Sequence, residues 1–236
     1  MKAILDLHVH TVSSGHAYST IKENIEAAAE KGIKILGISD HAPTMPGGPH
    51  LFHFYNLRVL KENINGVRIL KGIEANIIDY NGNMDVPTDI LEQLDYVIAS
   101  FHTPCLEPGS IDENTNSIIK AMENPFVKII GHPDDSRIPV DYVKLVQEAS
   151  KTGTLLEINN SSLRSNGYRE GAEQNVKTIL RLCKENNVMI VLGSDAHIYY
   201  EIGDFTNCLK IIREIDFPEN LILNYHENPL EILKLK

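Results

Sequence analysis

The sequence has no tryptophan, only three cysteines and no apolar run long enough to cross a membrane. Cys105, Cys183 and Cys208 form no CxxC pair and are odd in number, which argues against a disulfide framework or a thiolate metal site. The amino-terminal stretch MKAILDLHVH carries charged side chains among its apolar ones, so it resembles neither a signal peptide nor a membrane span. These absences predict a cytoplasmic protein with reduced thiols.

The sequence is also short of positive charge. Its 22 basic and 32 acidic residues give a net charge of -10. Such a field repels polyanions, so neither nucleic acid nor a membrane surface is an expected partner. A phosphorylated small molecule would need a local positive site.

The chain alternates short apolar runs with longer amphipathic stretches, the pattern of strand-then-helix units around a parallel sheet. Thr20 and Glu23 predict the start of a helix that ends at Gly32. Asp141 and Gly153 likewise predict the start and the end of a later helix. No repeat, low-complexity segment or linker divides the chain, so residues 1–236 are expected to form one α/β domain. The predicted strands are 3–8, 34–39, 68–74, 95–101, 127–131, 154–159 and 188–194, with a weaker candidate at 221–225.

Metal-binding side chains follow six of the seven predicted strands. Because side chains alternate along a strand, Asp6, His8 and His10 project from one face, and the small residues of SSGH allow His16 to fold back toward them. The later strands end at Asp40 and His41, at Glu74, at His102, at His132, and at Asp195 and His197.

A single histidine in such a place is more often a satisfied polar residue or a surface accident than a ligand. However, seven of the ten histidines lie at the same ends of successive strands. Buried imidazoles each need a partner, so neither chance nor core packing explains the whole set. Imidazole and carboxylate without thiolate suit zinc, manganese or iron. Nine ligands exceed the needs of one ion, and Glu74 and Asp195 can each bridge two.

The motifs DLHVH, SGH, SDHA, GIEAN, SFHTP, GHPDD, EINNSS and GSDAH, in this order, resemble the PHP (polymerase and histidinol phosphatase) superfamily. Within that superfamily the sequence resembles in particular the YcdX-type stand-alone phosphatases, which hold three zinc ions. The resemblance covers most of the chain. It implies a distorted (β/α)7 TIM-like barrel, in agreement with the seven strands counted from the apolar runs.

The resemblance also implies how three divalent ions, expected to be zinc, are held. The first ion would use His8, His10, Glu74 and Asp195, the second His16, His41 and His197, and the third His102, His132 and Glu74. Asp6 and Asp40 are interpreted as carboxylates that accept a ring N–H and so orient a ligating histidine. A helix cap is the alternative for Asp40.

Arg169 matches the phosphate-facing arginine of the family and lies in a polar loop after the sixth strand, with Arg164 as the weaker candidate. The alternative for Arg169 is a solvated surface side chain. His50 and His53 are expected in a wall of the substrate pocket rather than as ligands, and His226 in a structural or exposed position.

Together these residues predict a phosphatase that hydrolyses a small phosphate ester with a metal-bridging hydroxide. One alternative is a histidinol-phosphatase with the same ligands, and another is a non-catalytic metal-binding regulatory module. An exonuclease is disfavoured by the acidic surface, and an amidohydrolase by Glu74 in the place of a bridging lysine. The sequence leaves open whether the chain forms a homo-oligomer.

Overall fold

The computed structural model describes residues 2–235, and in them seven parallel strands form a nearly closed barrel. The strands are β1 Leu5–Asp6, β2 Ile35–Ile38, β3 Asn63–Ile64, β4 Val67–Asn76, β5 Tyr96–Ser100, β6 Val127–Gly131, β7 Leu155–Asn159 and β8 Ile190–Gly193. Their spatial order is β1-β2-β4-β5-β6-β7-β8, and the short β3 pairs antiparallel with β4. The predicted fold, a distorted TIM-like α/β barrel with seven parallel strands, is confirmed.

The helices cover the outside of the barrel. They are α1 Ile21–Lys31, α2 Phe52–Asn56, α3 Thr88–Leu91, α4 Ile111–Met122, α5 Tyr142–Thr152, α6 Ala172–Asn186, α7 Thr206–Ile215 and α8 Pro229–Ile232. The predicted capping box of Thr20 and Glu23 starts α1, and Asp141 caps α5 by accepting two backbone N–H groups. No helix within residues 2–235 has the length and apolar content needed to cross a bilayer.

The barrel interior has an apolar lower part and a polar upper part. Leu70 and Glu74 point to the same face of β4, as do Leu155 and Glu157 of β7, because strand side chains alternate. Leu70 and Leu155 pack in one buried cluster with Tyr96, which fills the space left by glycines in the neighbouring strands. The polar ends of the same strands therefore stand on a rigid apolar base.

Asn224 closes the seam between β1 and β8. Its side chain donates to the carbonyls of Leu5 and Leu192 and accepts from the Leu192 N–H, at 2.8–3.0 Å. The weaker strand candidate at 221–225 is therefore wrong: this segment forms short 3-10 turns and only one bridge, between Ile190 and Ile222. The side chain of Asn224, rather than a strand, supplies the missing ladder bonds.

Candidate metal centre

All the predicted ligands come together at the carboxyl ends of the barrel strands. Seven of the nine are buried, His197 is half-buried and His16 is exposed. Burial of so many polar groups at one point is costly unless each finds a partner. The buried seven are His8, His10, His41, Glu74, His102, His132 and Asp195.

Glu74 is the centre of the cluster. Its carboxylate lies within 4 Å of ring nitrogens from five histidines, and it also accepts a hydrogen bond from Ser100. The distances are 2.6 Å to His41, 2.8 Å to His132, 3.2 Å to His102, 3.4 Å to His8 and 3.6 Å to His10. One carboxylate surrounded by five imidazoles from four strand ends can bridge more than one cation.

Asp195 forms a second acidic point of the cluster. Oδ1 lies 3.3 Å from Nε2 of His10, 3.6 Å from Nε2 of His8 and 3.5 Å from Nδ1 of His197. Asp195 has a φ of 53°, and His132 also has a positive φ, 28°. Non-glycine residues in this backbone region cost roughly 1–3 kcal/mol and concentrate at functional sites.

His16 reaches the cluster from its loop through ring contacts. Its imidazole centroid lies 5.0 Å from that of His41 and 4.8 Å from that of His197, and the latter two are 6.0 Å apart. These three residues are the predicted ligands of the second ion. The structure therefore brings them to one point, although His16 is the most exposed of the nine.

Ligand atoms within 4.8 Å of one another form four overlapping groups. His8, His10 and Glu74 make one group, in line with the set predicted for the first ion. His10 also groups with His41 and His197, which were assigned to the second ion. The division of the ligands among separate ions stays a prediction.

The donor atoms fit divalent cations. Within residues 2–235, Nε2 of His8 and of His10 are buried and lack a hydrogen-bond partner, and buried Nδ1 of His41 and Oε2 of Glu74 lie 2.6 Å apart without the geometry of a hydrogen bond. A buried polar atom left unpaired costs about 1–3 kcal/mol, and these four face the same small volume. Nitrogen and oxygen donors without thiolate match zinc, manganese or iron.

Glu74 and His102 are held in the charge states that metal ligands need, whereas His8 is held in its protonated state by the acidic groups around it. Burial would raise the pKa of Glu74, but nearby His41, His8 and His102 hold it well below its usual value, so the carboxylate stays ionised. Burial lowers the pKa of His102 to about 4 despite Glu74, which keeps that imidazole neutral. Burial also favours neutral His8, yet Glu157, Glu74 and Asp195 raise its pKa well above the usual value. A cation at this point would take the place of that proton.

A cavity of about 330 Å³ opens onto the cluster, a size that suits a small molecule. Its inner wall includes His102, His132 and Asp195, and its outer wall includes Arg137 and Tyr168. A larger cavity of about 540 Å³ opens at the amino ends of β6, β7 and β8 and is lined by none of the predicted ligands.

The model of the PHP domain family matches residues 6–195, which span the cluster from Asp6 to Asp195. The chain belongs to the PHP domain family. It is 47% identical over 230 residues to a "Probable phosphatase" of Clostridium novyi strain NT, covering 98% of this chain and 93% of the relative. It is 49% identical over 225 residues to one of Thermoanaerobacter sp. strain X514, covering 95% and 91%.

A solved structure shares the fold of this PHP domain. The histidinol phosphate phosphatase of Lactococcus lactis, complexed with zinc, L-histidinol and phosphate, aligns with a TM-score of 0.63. The alignment covers 92% of this chain and 95% of the other, at 16% sequence identity. At 16% identity, this similarity shows a shared barrel fold and nothing further.

Several predicted ligands of the PHP domain are held by residues to which sequence reasoning gave no role. Nδ1 of His8 lies 2.7 Å from Glu157, and Nδ1 of His102 lies 2.8 Å from Asn76. Such partners fix the tautomer and the direction of a ligating ring. A Cβ at Gly193 would overlap the Glu157 carboxylate, so this glycine makes room for it. The sequence feature that could have indicated Glu157 is its place in a predicted strand, where alternation puts it on the same inward face as Asn159.

Asp40 and Asp6, both predicted to orient ligating histidines, have different surroundings. Asp40 accepts from Thr11, from Ser14 Oγ and from His53, and Ser14 Oγ in turn lies 3.1 Å from Nδ1 of His10. Burial works against the charge of Asp40, but these hydrogen bonds, beginning with His53, lower its pKa to about 2. Asp40 caps no helix within residues 2–235, and its hydrogen-bonded link to His10 runs through Ser14.

Asp6 contacts backbone amides. It accepts from the N–H groups of His8, Ser194 and Gly203, and burial raises its pKa to about 6. These bonds tie the end of β1 to the loops after β8. Within residues 2–235 no imidazole ring donates a hydrogen bond to Asp6, in contrast to its predicted role.

Arg169 lies at the inner wall of the cavity. Its guanidinium donates to Ser162 at 3.0 Å and lies 3.4 Å from Oδ2 of Asp195. Ser162 in turn donates to the buried carboxylate of Asp134 at 3.1 Å. Arg169 is therefore a fixed cation beside the cluster, and its side chain is only 15% exposed.

The remaining candidates lie away from the ligands. Arg164 pairs with Glu201 at 2.7 Å and is absent from the cavity lining within residues 2–235. His53 supports Asp40 and, like His50, does not line the cavity, whose wall here is formed by Met45. His226 bonds the carbonyl of Asn220, in keeping with a structural role.

Proposed function

We propose that this PHP domain is a metal-dependent phosphatase that hydrolyses a small phosphate ester and holds three zinc ions. The observation that carries the proposal is the Glu74 carboxylate in contact with five histidines, with buried donor atoms left unpaired around it. The names of the Clostridium and Thermoanaerobacter relatives and the zinc complex of the Lactococcus protein support the same function.

The ligands proposed for the ions are those that converge at the strand ends. They are His8, His10, His16, His41, Glu74, His102, His132, Asp195 and His197. When bound, divalent ions supply Lewis acidity and allow water to ionise near neutral pH. They would also make the electrostatic potential of the inner cavity positive, although the net charge of the chain is -10.

Arg169 is proposed to bind the phosphate group of the substrate. A guanidinium can donate to two phosphate oxygens at once and stabilise charge that grows on them. Its bond to Ser162 leaves other donors of the guanidinium free to turn toward a ligand, and the long contacts to Asp195 are weak enough to be exchanged. The residue then serves both to position the ester and to stabilise charge.

The first test is hydrolysis of p-nitrophenyl phosphate and its bis-ester by purified protein of measured zinc content. We expect turnover of the monoester, a loss of at least about a hundredfold in His10→Ala and a smaller loss in Arg169→Ala. His226→Ala is the matched control, since within residues 2–235 the side chain of this histidine bonds only the Asn220 carbonyl. Fully metallated protein that hydrolyses neither ester would favour the non-catalytic binding module.

A further inference from the structure

The outer wall of the cavity is built by three side chains from three different loops. Thr103 follows β5, Arg137 follows β6 and Tyr168 follows β7, and all three line the cavity. The guanidinium carbon of Arg137 lies 4.1 Å from the centre of the Tyr168 ring. Hydrogen bonds from Arg137 and Thr103 lower the pKa of the Tyr168 hydroxyl. An ester whose phosphate lay at the inner wall, beside Arg169 and the ligand cluster, would direct its other end toward this outer wall.

The acidic residue of this wall, Asp135, has no acceptor capacity left for a substrate. Oδ1 accepts from the backbone N–H groups of Arg137 and Glu170 and from Nε of Arg137. Oδ2 accepts from Nε and Nη2 of Arg137. A carboxylate saturated in this way is a poor partner for the amine of an incoming ligand.

Arg137, in contrast, keeps donors to offer. Its bonds to Asp135 use Nε and Nη2, and another N–H bonds the Tyr168 hydroxyl, so two of the five N–H donors are left; within residues 2–235 Nη1 has no carboxylate partner. The side chain is 27% exposed, and Tyr168 covers one face of the guanidinium, so the group is held in place while an edge stays accessible. An ordered guanidinium edge binds carboxylate or phosphate oxygens well, because little freedom is lost on binding.

We propose that Arg137 determines specificity by binding a second anionic group, a carboxylate or a further phosphate, on the same substrate. The inference rests on the proposed function and narrows its substrate class to phosphate esters with an anionic tail. It disfavours histidinol phosphate, whose tail carries a cationic amine and would meet Arg137 with Asp135 already occupied.

Binding is tested with two inert analogues, phenylphosphonate and 4-carboxyphenylphosphonate, by calorimetry on the zinc-loaded protein. We expect the carboxylated analogue to bind about tenfold more tightly in the wild type, and this preference to vanish in Arg137→Gln. Arg137→Lys guards against a folding defect, because it can keep an ion pair with Asp135 while losing the guanidinium edge. Arg164→Gln is the control, since Arg164 pairs with Glu201 outside the cavity.

Turnover of the matching esters, phenyl phosphate and 4-carboxyphenyl phosphate, is measured in parallel with histidinol phosphate. Equal binding of the two phosphonates by wild type, or a preference that survives in both Arg137 variants, would overturn the inference while leaving phosphatase activity intact. An Arg137-dependent preference in binding without hydrolysis of any ester would instead uphold the inference and contradict the proposed function.

Discussion

At the scale of single residues, the cluster depends on what each histidine does with its second ring nitrogen. His8 has a carboxylate there, His102 an amide oxygen and His10 a hydroxyl. An anionic partner makes the imidazole a stronger base and a better ligand than a neutral partner does. The histidine next to Glu157 is therefore the one whose metal affinity depends most on its support.

Glu157→Gln should reduce zinc affinity by roughly 10- to 100-fold, because the amide removes the negative charge behind His8. The measurement is competition for zinc with a chromophoric chelator. Glu148→Gln is the control, since that glutamate pairs with Lys151 on the surface of α5. Unchanged affinity in Glu157→Gln would show that His8 is oriented without its help.

Ser162 also donates to Asp134, but its effect on phosphate binding is predicted to run through Arg169. Ser162→Ala removes the bond that fixes the guanidinium and should weaken inhibition by inorganic phosphate by roughly tenfold. In an Arg169→Ala background the same change should have almost no effect, because the two residues act as one unit. Additive losses across this double-mutant cycle of inhibition constants would mean that Ser162 acts independently of Arg169.

At the scale of elements, the barrel is weakest where β1 and β8 meet. These strands share no continuous ladder, and the side chain of Asn224 supplies three hydrogen bonds between them. The bridge between Val9 and Ala196 joins the chain just beyond the two strands. The same seam carries His8, His10 and Asp195, so its order bears directly on the metal centre.

Asn224→Leu should destabilise the fold by roughly 3 kcal/mol, because it leaves three buried backbone groups without partners. Urea unfolding followed by circular dichroism measures the loss. Asn220→Ala, at an exposed position four residues earlier, should leave the unfolding midpoint nearly unchanged. A small effect of Asn224→Leu would show that the bridge at Val9 suffices to close the seam.

At the scale of the whole molecule, the fold concentrates its buried ionisable groups at one end of the barrel. The apolar base around Tyr96 and Leu70 stabilises folding, whereas within residues 2–235 the cluster above it holds buried polar atoms without hydrogen-bond partners, for which bound cations would be partners. Metal binding and global stability should therefore be linked.

Removal of zinc by a chelator should lower the Tm, and added zinc should restore it. One site at a free ion concentration 100 times its Kd contributes about 2.7 kcal/mol, which corresponds to a shift of roughly 5 to 10 °C for a chain of this size. Differential scanning calorimetry measures the shift, and Glu74→Gln should show a smaller one because its central carboxylate is lost. If the chelator left the Tm of the wild-type protein unchanged, the proposal of a metal centre would be contradicted.

By itself the sequence determined the features that depend on neighbours along the chain. Short apolar runs located the seven strands, amphipathic stretches indicated helices between them, and capping residues fixed the ends of α1 and α5. Ligand-type residues were visible because each follows its own strand, and parallel strands place those ends together. The prediction of a strand at 221–225 was wrong because the apolar residues of this segment lie in 3-10 turns around Asn224, which the apolar pattern alone does not indicate.

Only the tertiary structure decided which distant groups meet. Glu157 lies 149 residues from His8, and Asn224 lies 219 residues from Leu5, so no local pattern links either pair. The same holds for Asp6, which binds backbone amides rather than an imidazole, and for Arg137, whose free donors appear only once Asp135 is seen to be saturated. Local sequence sets the elements and the inventory of ligands, whereas the closure of the barrel selects the partners that orient them.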